Sequence, residues 1–237
     1  MRRDDAPPPQ ASSRRRFIRS GALGVTAAAL AAGGVTASGG QAVAALGQPV
    51  RPPADGSPAP VTPACSGRET PAAMEGPLFR PESPERTDLR TPAITGVFLS
   101  LRGIVYDTAC RPIPRALLEF WQCDQHGDYD VSGFSLRGHQ YTGADGGYRL
   151  ETIIPRDYYG RWGRRAPHIH THVQAPGGPL LVTQLYFPDN TVAYGRDFAA
   201  LNAQDALINR ACTILLNANS SGAYGGRFDF VVKRTVS

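Results

Sequence analysis

Arg164-Arg165-Ala166-Pro167-His168-Ile169-His170-Thr171-His172 is the stretch on which the reading of this chain turns. Three of the five histidines in 237 residues fall at alternate positions here, with Ile169 and Thr171 between them. Period-two alternation introduced by a proline is the pattern of a β-strand, whose successive side chains point to opposite faces. His168, His170 and His172 then share one face, at steps of roughly 7 Å. Imidazoles at i and i+2 on one strand can reach a single metal ion. The plainer alternative is a polar strand face that happens to carry histidines.

Short strands are legible on both sides of this stretch. Residues 180–187 read as the next strand. Upstream, residues 99–106 form one strand, a turn holding Asp107, Pro112 and Pro114 follows, and residues 116–121 form another. Residues 140–142, a turn at Asp145-Gly146-Gly147 and residues 148–153 read as a hairpin. A short helix is expected over 198–209 and a closing strand over 228–234. With 26 glycines and 21 prolines, and neither a long amphipathic helix nor an internal repeat, the chain reads as all-β. The expected architecture is a β-sandwich, or an open barrel, of mixed short strands with long functional loops.

The formal charge of +5 is concentrated in a leader. Residues 1–44 hold six arginines against two aspartates, and the remainder is close to neutral, so nothing in it argues for a nucleic-acid surface. Ser13-Arg14-Arg15-Arg16-Phe17-Ile18-Arg19 has the twin-arginine pattern, an Ala/Gly-rich apolar run follows, and Ala42-Val43-Ala44 is a small-x-small cleavage site. The reading is a twin-arginine signal over 1–44, handled by that export machinery, with no membrane span in the mature chain. A Pro/Ala/Gly-rich linker follows over 45–74 and a β-sandwich domain over 75–237. Export to the periplasm or beyond makes disulfides the expectation for the even set Cys65, Cys110, Cys123 and Cys212, with three connectivities open.

A set of short motifs in fixed order carries a resemblance. It begins with Thr70-Pro71, Glu75-Gly76-Pro77 and Gly103-Ile104-Val105-Tyr106-Asp107. Trp121-Gln122-Cys123-Asp124, Gly127-Asp128-Tyr129, Leu136-Arg137-Gly138 and Asp145-Gly146-Gly147-Tyr148 follow. Ile154-Pro155-Arg156-Asp157-Tyr158, Arg165-Ala166-Pro167-His168-Ile169-His170 and Thr183-Gln184-Leu185-Tyr186-Phe187 complete it. Each motif is weak alone, but the ordered set resembles the intradiol ring-cleavage dioxygenases, and the leader and cysteines resemble their extracellular branch. The N-terminal helical domain of the larger catechol dioxygenases is not expected within residues 1–74.

The resemblance implies a non-haem Fe(III) ligated by Tyr129, Tyr158, His168 and His170. That donor set is chemically coherent, because a hard trivalent ion prefers anionic oxygen and direct bonding favours the phenolate. Tyr158 and Tyr159 compete for the second position, and the family's placement of this tyrosine three residues after a proline, here Pro155, implies Tyr158. The Tyr158 to His168 interval is shorter than the family commonly shows. His172 shares the face but matches no family ligand, and His126 and His139 read as ordinary loop residues. Arg165 and Gln184 match the family's active-site polar pair. The implied reaction takes a catechol-type aromatic diol and O2 to a cis,cis-muconate-type diacid. Tyr158 would leave the metal to take a substrate proton, and Arg165 and Gln184 would stabilise charge building on the ring.

Phe134, Tyr106 and Trp162 are candidates to line the substrate pocket or simply to pack. Two rival readings stand beside the enzyme. One is a metal-free exported β-sandwich binding module, which elemental analysis would distinguish. The other is a zinc hydrolase, which lacks an evident third ligand.

Overall fold

A computed structural model describes residues 65–219 and 221–234. The signal read in 1–44 and the part of the linker over 45–64 lie outside these residues. The elements run β1 (Phe98–Asp107), β2 (Leu117–Trp121), β3 (Arg137–Tyr141), β4 (Gly147–Ile153), β5 (Tyr158–Gly160), β6 (Gly163–Arg165), β7 (His168–Gln174), β8 (Leu180–Tyr186), β9 (Val192–Ala193) and β10 (Arg196–Asp197). One short helix, α1 (Phe198–Gln204), and a 3-10 turn at Arg210–Cys212 precede β11 (Leu215–Ala218), β12 (Tyr224–Arg227) and β13 (Phe230–Val232).

Two sheets face one another. In one, β1 is the hub, antiparallel to β4 on one side and parallel to β12 and then β13 on the other, with β11 at the edge beyond β12. The second has the order β3-β2-β7-β8, all antiparallel. Alternation explains the core. Leu99, Leu101 and Val105 of β1 point inward to meet Leu118 and Phe120 of β2, Ile169 and Val173 of β7, and Leu185 of β8. Each fully buried side chain of this size contributes on the order of 1.5–3 kcal/mol. The other parity of β2 and β7, namely Glu119, Trp121, His168, His170 and His172, lies on the opposite face, where loops cover it. β7 is therefore buried on both sides, apolar within the core and imidazole-bearing without.

Close approach fixes glycine at Gly103, where β1 passes so near the 228–229 corner that an added Cβ would lie 1.8 Å from the Phe228 carbonyl oxygen. Nearby, Ile104 N–H donates to Asp229 and the Tyr148 hydroxyl donates to Phe228 O.

Several expectations are corrected. The segment 65–74, linker-like in composition, is stitched to both sheets. Thr70 N–H donates to Val231 O, Ala73 N–H to Val182 O, and Thr183 Oγ1 to Pro71 O, at 2.8–2.9 Å. Only one disulfide forms, Cys65–Cys110, while Cys123 and Cys212 are free and buried. Burial pushes both thiols up and out of reactive range. His139 lies on β3 rather than in a loop, with Nδ1 2.7 Å from Ser83 O. The helix expected over 198–209 ends at Gln204 because Asp205 turns inward, and β11, β12 and the β5–β6 hairpin were not foreseen. Among the described residues no helix is long and apolar enough to cross a membrane.

Candidate active site

Strand register assembles the site. Across β7 and β8, His170 is opposite Gln184 and His168 opposite Tyr186, while across β2 and β7 Trp121 is opposite His170. The hairpin β5–β6 sets Tyr158 opposite Arg165. Tyr129 comes from the loop after β2. That loop is held against the start of β5, since a Cβ on Gly127 would lie 3.0 Å from Asp157 O and 3.3 Å from the Tyr158 side chain.

Four rings then close a cycle. Centroid separations are 5.6 Å for Tyr129–Tyr158, 5.7 Å for Tyr158–His168, 4.8 Å for His168–His170 and 6.2 Å for His170–Tyr129. Tyr159, the competing tyrosine, is 73 % exposed with its ring under Arg164, outside this cycle. His168 Nδ1 lies 2.6 Å from Ala166 O and so carries the proton, which leaves Nε2 as a lone pair facing His170 Nε2 at 3.2 Å. The indole of Trp121 stacks on His170 at 4.9 Å and 9°.

The environment keeps all four rings neutral. Burial first, then the Arg165 charge, pulls the His168 imidazolium down to about 3, and burial lowers that of His170 well below its usual value. Burial likewise raises the Tyr129 and Tyr158 phenols. The Tyr129 hydroxyl and His170 Nδ1 are buried without a hydrogen-bond partner. An inward lone pair on His168, a second imidazole nitrogen facing it and an orphaned phenol suit a cation. Two nitrogens each about 2.0–2.1 Å from one ion must lie within about 4 Å of each other, and the Nε2 pair at 3.2 Å meets that limit. Among the described residues no group of three or more His, Cys, Asp or Glu is placed to hold a metal, so an ion here needs the phenols.

Arg165 is buried beside the rings. Its Nε donates to both Asp205 oxygens at 3.1 Å, and its Nη2 donates to Gln184 Oε1 at 2.5 Å and to the Tyr186 hydroxyl at 3.2 Å. Burial opposes the guanidinium charge most strongly of any one cause, but Asp205 together with the Tyr186 and Tyr158 hydroxyls outweighs it and the pKa is raised. Gln184 is fully engaged, because its Nε2 donates to Met74 O at 2.8 Å while its Oε1 also accepts from Tyr186. A pocket of about 270 Å³ opens beside Tyr129, Tyr158, Arg165 and His170, and Gln184 does not line it. Of the three aromatic candidates, Trp162 lines the pocket. Phe134 packs under Arg80, and Tyr106 pairs with Val231 at the sheet.

His172 stands apart from the cycle. It sits between Phe79 and Trp121, with Nε2 3.0 Å from Glu75 and Nδ1 3.5 Å from Glu119. Sequence reasoning did not find Asp205, Tyr186, Trp121 or this carboxylate pair. Asp205 is 40 residues from Arg165, and no local signal links them. Trp121 and Glu119 were findable only once the β2–β7 register was known.

Comparison with known proteins gives the family and the fold. The family model described as Dioxygenase (Dioxygenase_C) matches residues 74–234. Catechol 1,2-dioxygenase of Pseudomonas sp. (strain EST1001) is 33% identical over 159 residues, covering 57% of this chain and 52% of that protein. Hydroxyquinol 1,2-dioxygenase of Nocardioides simplex is 34% identical over 140 residues, 51% of this chain and 48% of that protein. The chain thus spans about half the length of the curated relatives it matches. Among solved structures, the dioxygenase domain of a dioxygenase carbohydrate-binding protein fusion from Streptomyces sp. SirexAA-E superposes with a TM-score of 0.62 at 44% identity, covering 70% of this chain and 99% of that one. The chain belongs to the intradiol ring-cleavage dioxygenase family.

Proposed function

We propose that the protein is an exported Fe(III)-dependent dioxygenase that opens a catechol-type diol with O2 between its two oxygenated carbons, giving a cis,cis-muconate-type diacid. The observation that carries this reading is the closed cycle of Tyr129, Tyr158, His168 and His170, with two imidazole nitrogens 3.2 Å apart. These four residues would hold the iron, which when bound supplies Lewis acidity toward both diol oxygens and activates the ring toward O2.

The chain's own groups do the rest. Tyr158 lines the pocket at the start of the hairpin, where the phenolate form that bound iron would favour could accept a proton from a diol hydroxyl. Arg165 faces the pocket with its charge fixed by Asp205 and its plane set by Gln184 and Tyr186, so it can stabilise negative charge on the ring without reorganising. Gln184 acts through Arg165 rather than on the substrate. Trp121 and the Ala166 carbonyl fix the two imidazole orientations. Export is supported by the Cys65–Cys110 disulfide, a bond of oxidising compartments, and by the arginine pattern of residues 13–19.

The test is iron content, visible absorption and oxygen uptake of the purified chain across catechol, hydroxyquinol, protocatechuate and chlorinated catechols. The expected protein is coloured by tyrosinate-to-iron charge transfer, and Tyr158→Phe weakens the colour. A colourless, iron-free protein that takes up no oxygen with any diol would refute the proposal and favour a binding module.

A further inference from the structure

Resting on that diol reading of the inner site, we infer that the mouth of the pocket is an outer subsite for the extended planar arm of a substituted catechol, ending in a carboxylate. Large apolar side chains left in water need a reason when they gather at a cleft. Val131, Tyr159 and Trp162 are 74%, 73% and 44% exposed, and all three line this opening. A bare diol ring seated against His170 and Tyr158 at the inner end would leave them wet.

Tyr159 is exposed and yet fixed. The guanidinium of Arg164 lies 4.3 Å over one face of its ring. Arg164 is itself paired with the buried carboxylate of Asp157, which Arg196 grips through two further bonds of 2.9 and 2.8 Å. A ring clamped from behind is a preorganised platform, with its other face left for a ligand and little ordering cost on binding. Arg161 and Trp162 form the two-residue turn of the same hairpin, between the paired Gly160 and Gly163. Two guanidiniums, Arg161 and Arg165, line the opening against a single carboxylate, Asp128. Arg165 is occupied by Asp205, whereas Arg161 is exposed and has no ion-pair partner among the described residues. The outer end of the site therefore complements an anion, and the wall leading to it complements a flat apolar arm.

The probes are catechol, 3,4-dihydroxycinnamate, its methyl ester, and cinnamate, which lacks the diol. Binding to the iron-loaded full chain is measured by calorimetry without oxygen, and oxygen uptake is measured separately. The ester is expected to bind about fivefold more tightly than catechol, and the acid about fivefold more tightly than the ester. Trp162→Ala should remove most of the first difference and Arg161→Gln the second. Equal affinities for all three diols, or differences that survive both substitutions, would overturn the subsite. If no diol drives oxygen uptake while cinnamate still binds in a Trp162-dependent way, the dioxygenase reading fails and the subsite stands. If cinnamate and the diols all fail to bind, both fall.

Discussion

Asp205→Asn isolates the buried charge on which the proposed chemistry depends. The Arg165 and Asp205 side chains are 3% and 0% exposed, so water cannot replace a lost partner. Removing one member of a buried pair typically costs about 3–5 kcal/mol, because the other charge is left uncompensated. Here the cost falls toward the lower end. Asparagine keeps an acceptor for Ala166 N–H, and the Arg165 Nη2 retains its bonds to Gln184 and Tyr186. A loss of about 3 kcal/mol is expected in urea unfolding of the iron-free full chain, a midpoint shift of roughly 1.5 M for an m-value near 2 kcal/mol/M. Arg165→Met should be costly alone, whereas the double variant should recover at least about 2 kcal/mol relative to the sum. In the iron-loaded enzyme Asp205→Asn should lower kcat roughly tenfold with little change in KM, because a wandering guanidinium fails in the transition state rather than in binding. Single losses below about 1 kcal/mol, or strictly additive effects, would refute the reasoning.

Three further outcomes follow from other parts of the molecule. Reducing Cys65–Cys110, which closes a loop of sequence separation 45, should cost about 2–4 kcal/mol and lower the melting temperature by roughly 5–15 °C; thiol counting after denaturation without reductant should find two groups, Cys123 and Cys212. Gly103→Ala should abolish folding or cost more than about 3 kcal/mol, read by circular dichroism and melting, since its methyl would meet the Phe228 carbonyl at 1.8 Å. Asp130 is held well below the usual carboxylate range by backbone N–H donors of Ser135 and Gly133, and then Ser132. Its contribution to stability is fully present above the unfolded pKa of about 3.9 and is lost as pH falls below it toward the folded pKa, so Asp130→Asn should flatten the acid limb of the stability profile.

The sequence was most legible where one strand carries both the fold and the chemistry. In His168 to His172, a single period-two pattern fixes the core parity of Ile169 and Thr171 and the site parity of the histidines. Tyr129 and Tyr158 could be singled out only through resemblance, because a tyrosine after a turn has no local mark of its role. Arg165 was found by its neighbourhood, but its partner was not. Asp205 lies beyond a helix whose end it creates, and a contact across 40 residues leaves no periodicity to read. Composition misled over 65–74, where proline and alanine suggested a linker. The hydrogen bonds that dock this segment are made by its backbone, to which composition is blind.

That docked segment also has a bearing on how the protein avoids its own kind. β8 ends the order β3-β2-β7-β8, and a bare terminal strand is a template for any other extended chain. Ala73 N–H takes the Val182 carbonyl and Pro71 O takes the Thr183 hydroxyl, so the middle of that edge is covered from within. A domain trimmed at residue 75 would keep every ring of the proposed iron site and lose this guard. Its failure would be self-association, seen as a growing oligomer population at rising concentration while the inner site stayed intact.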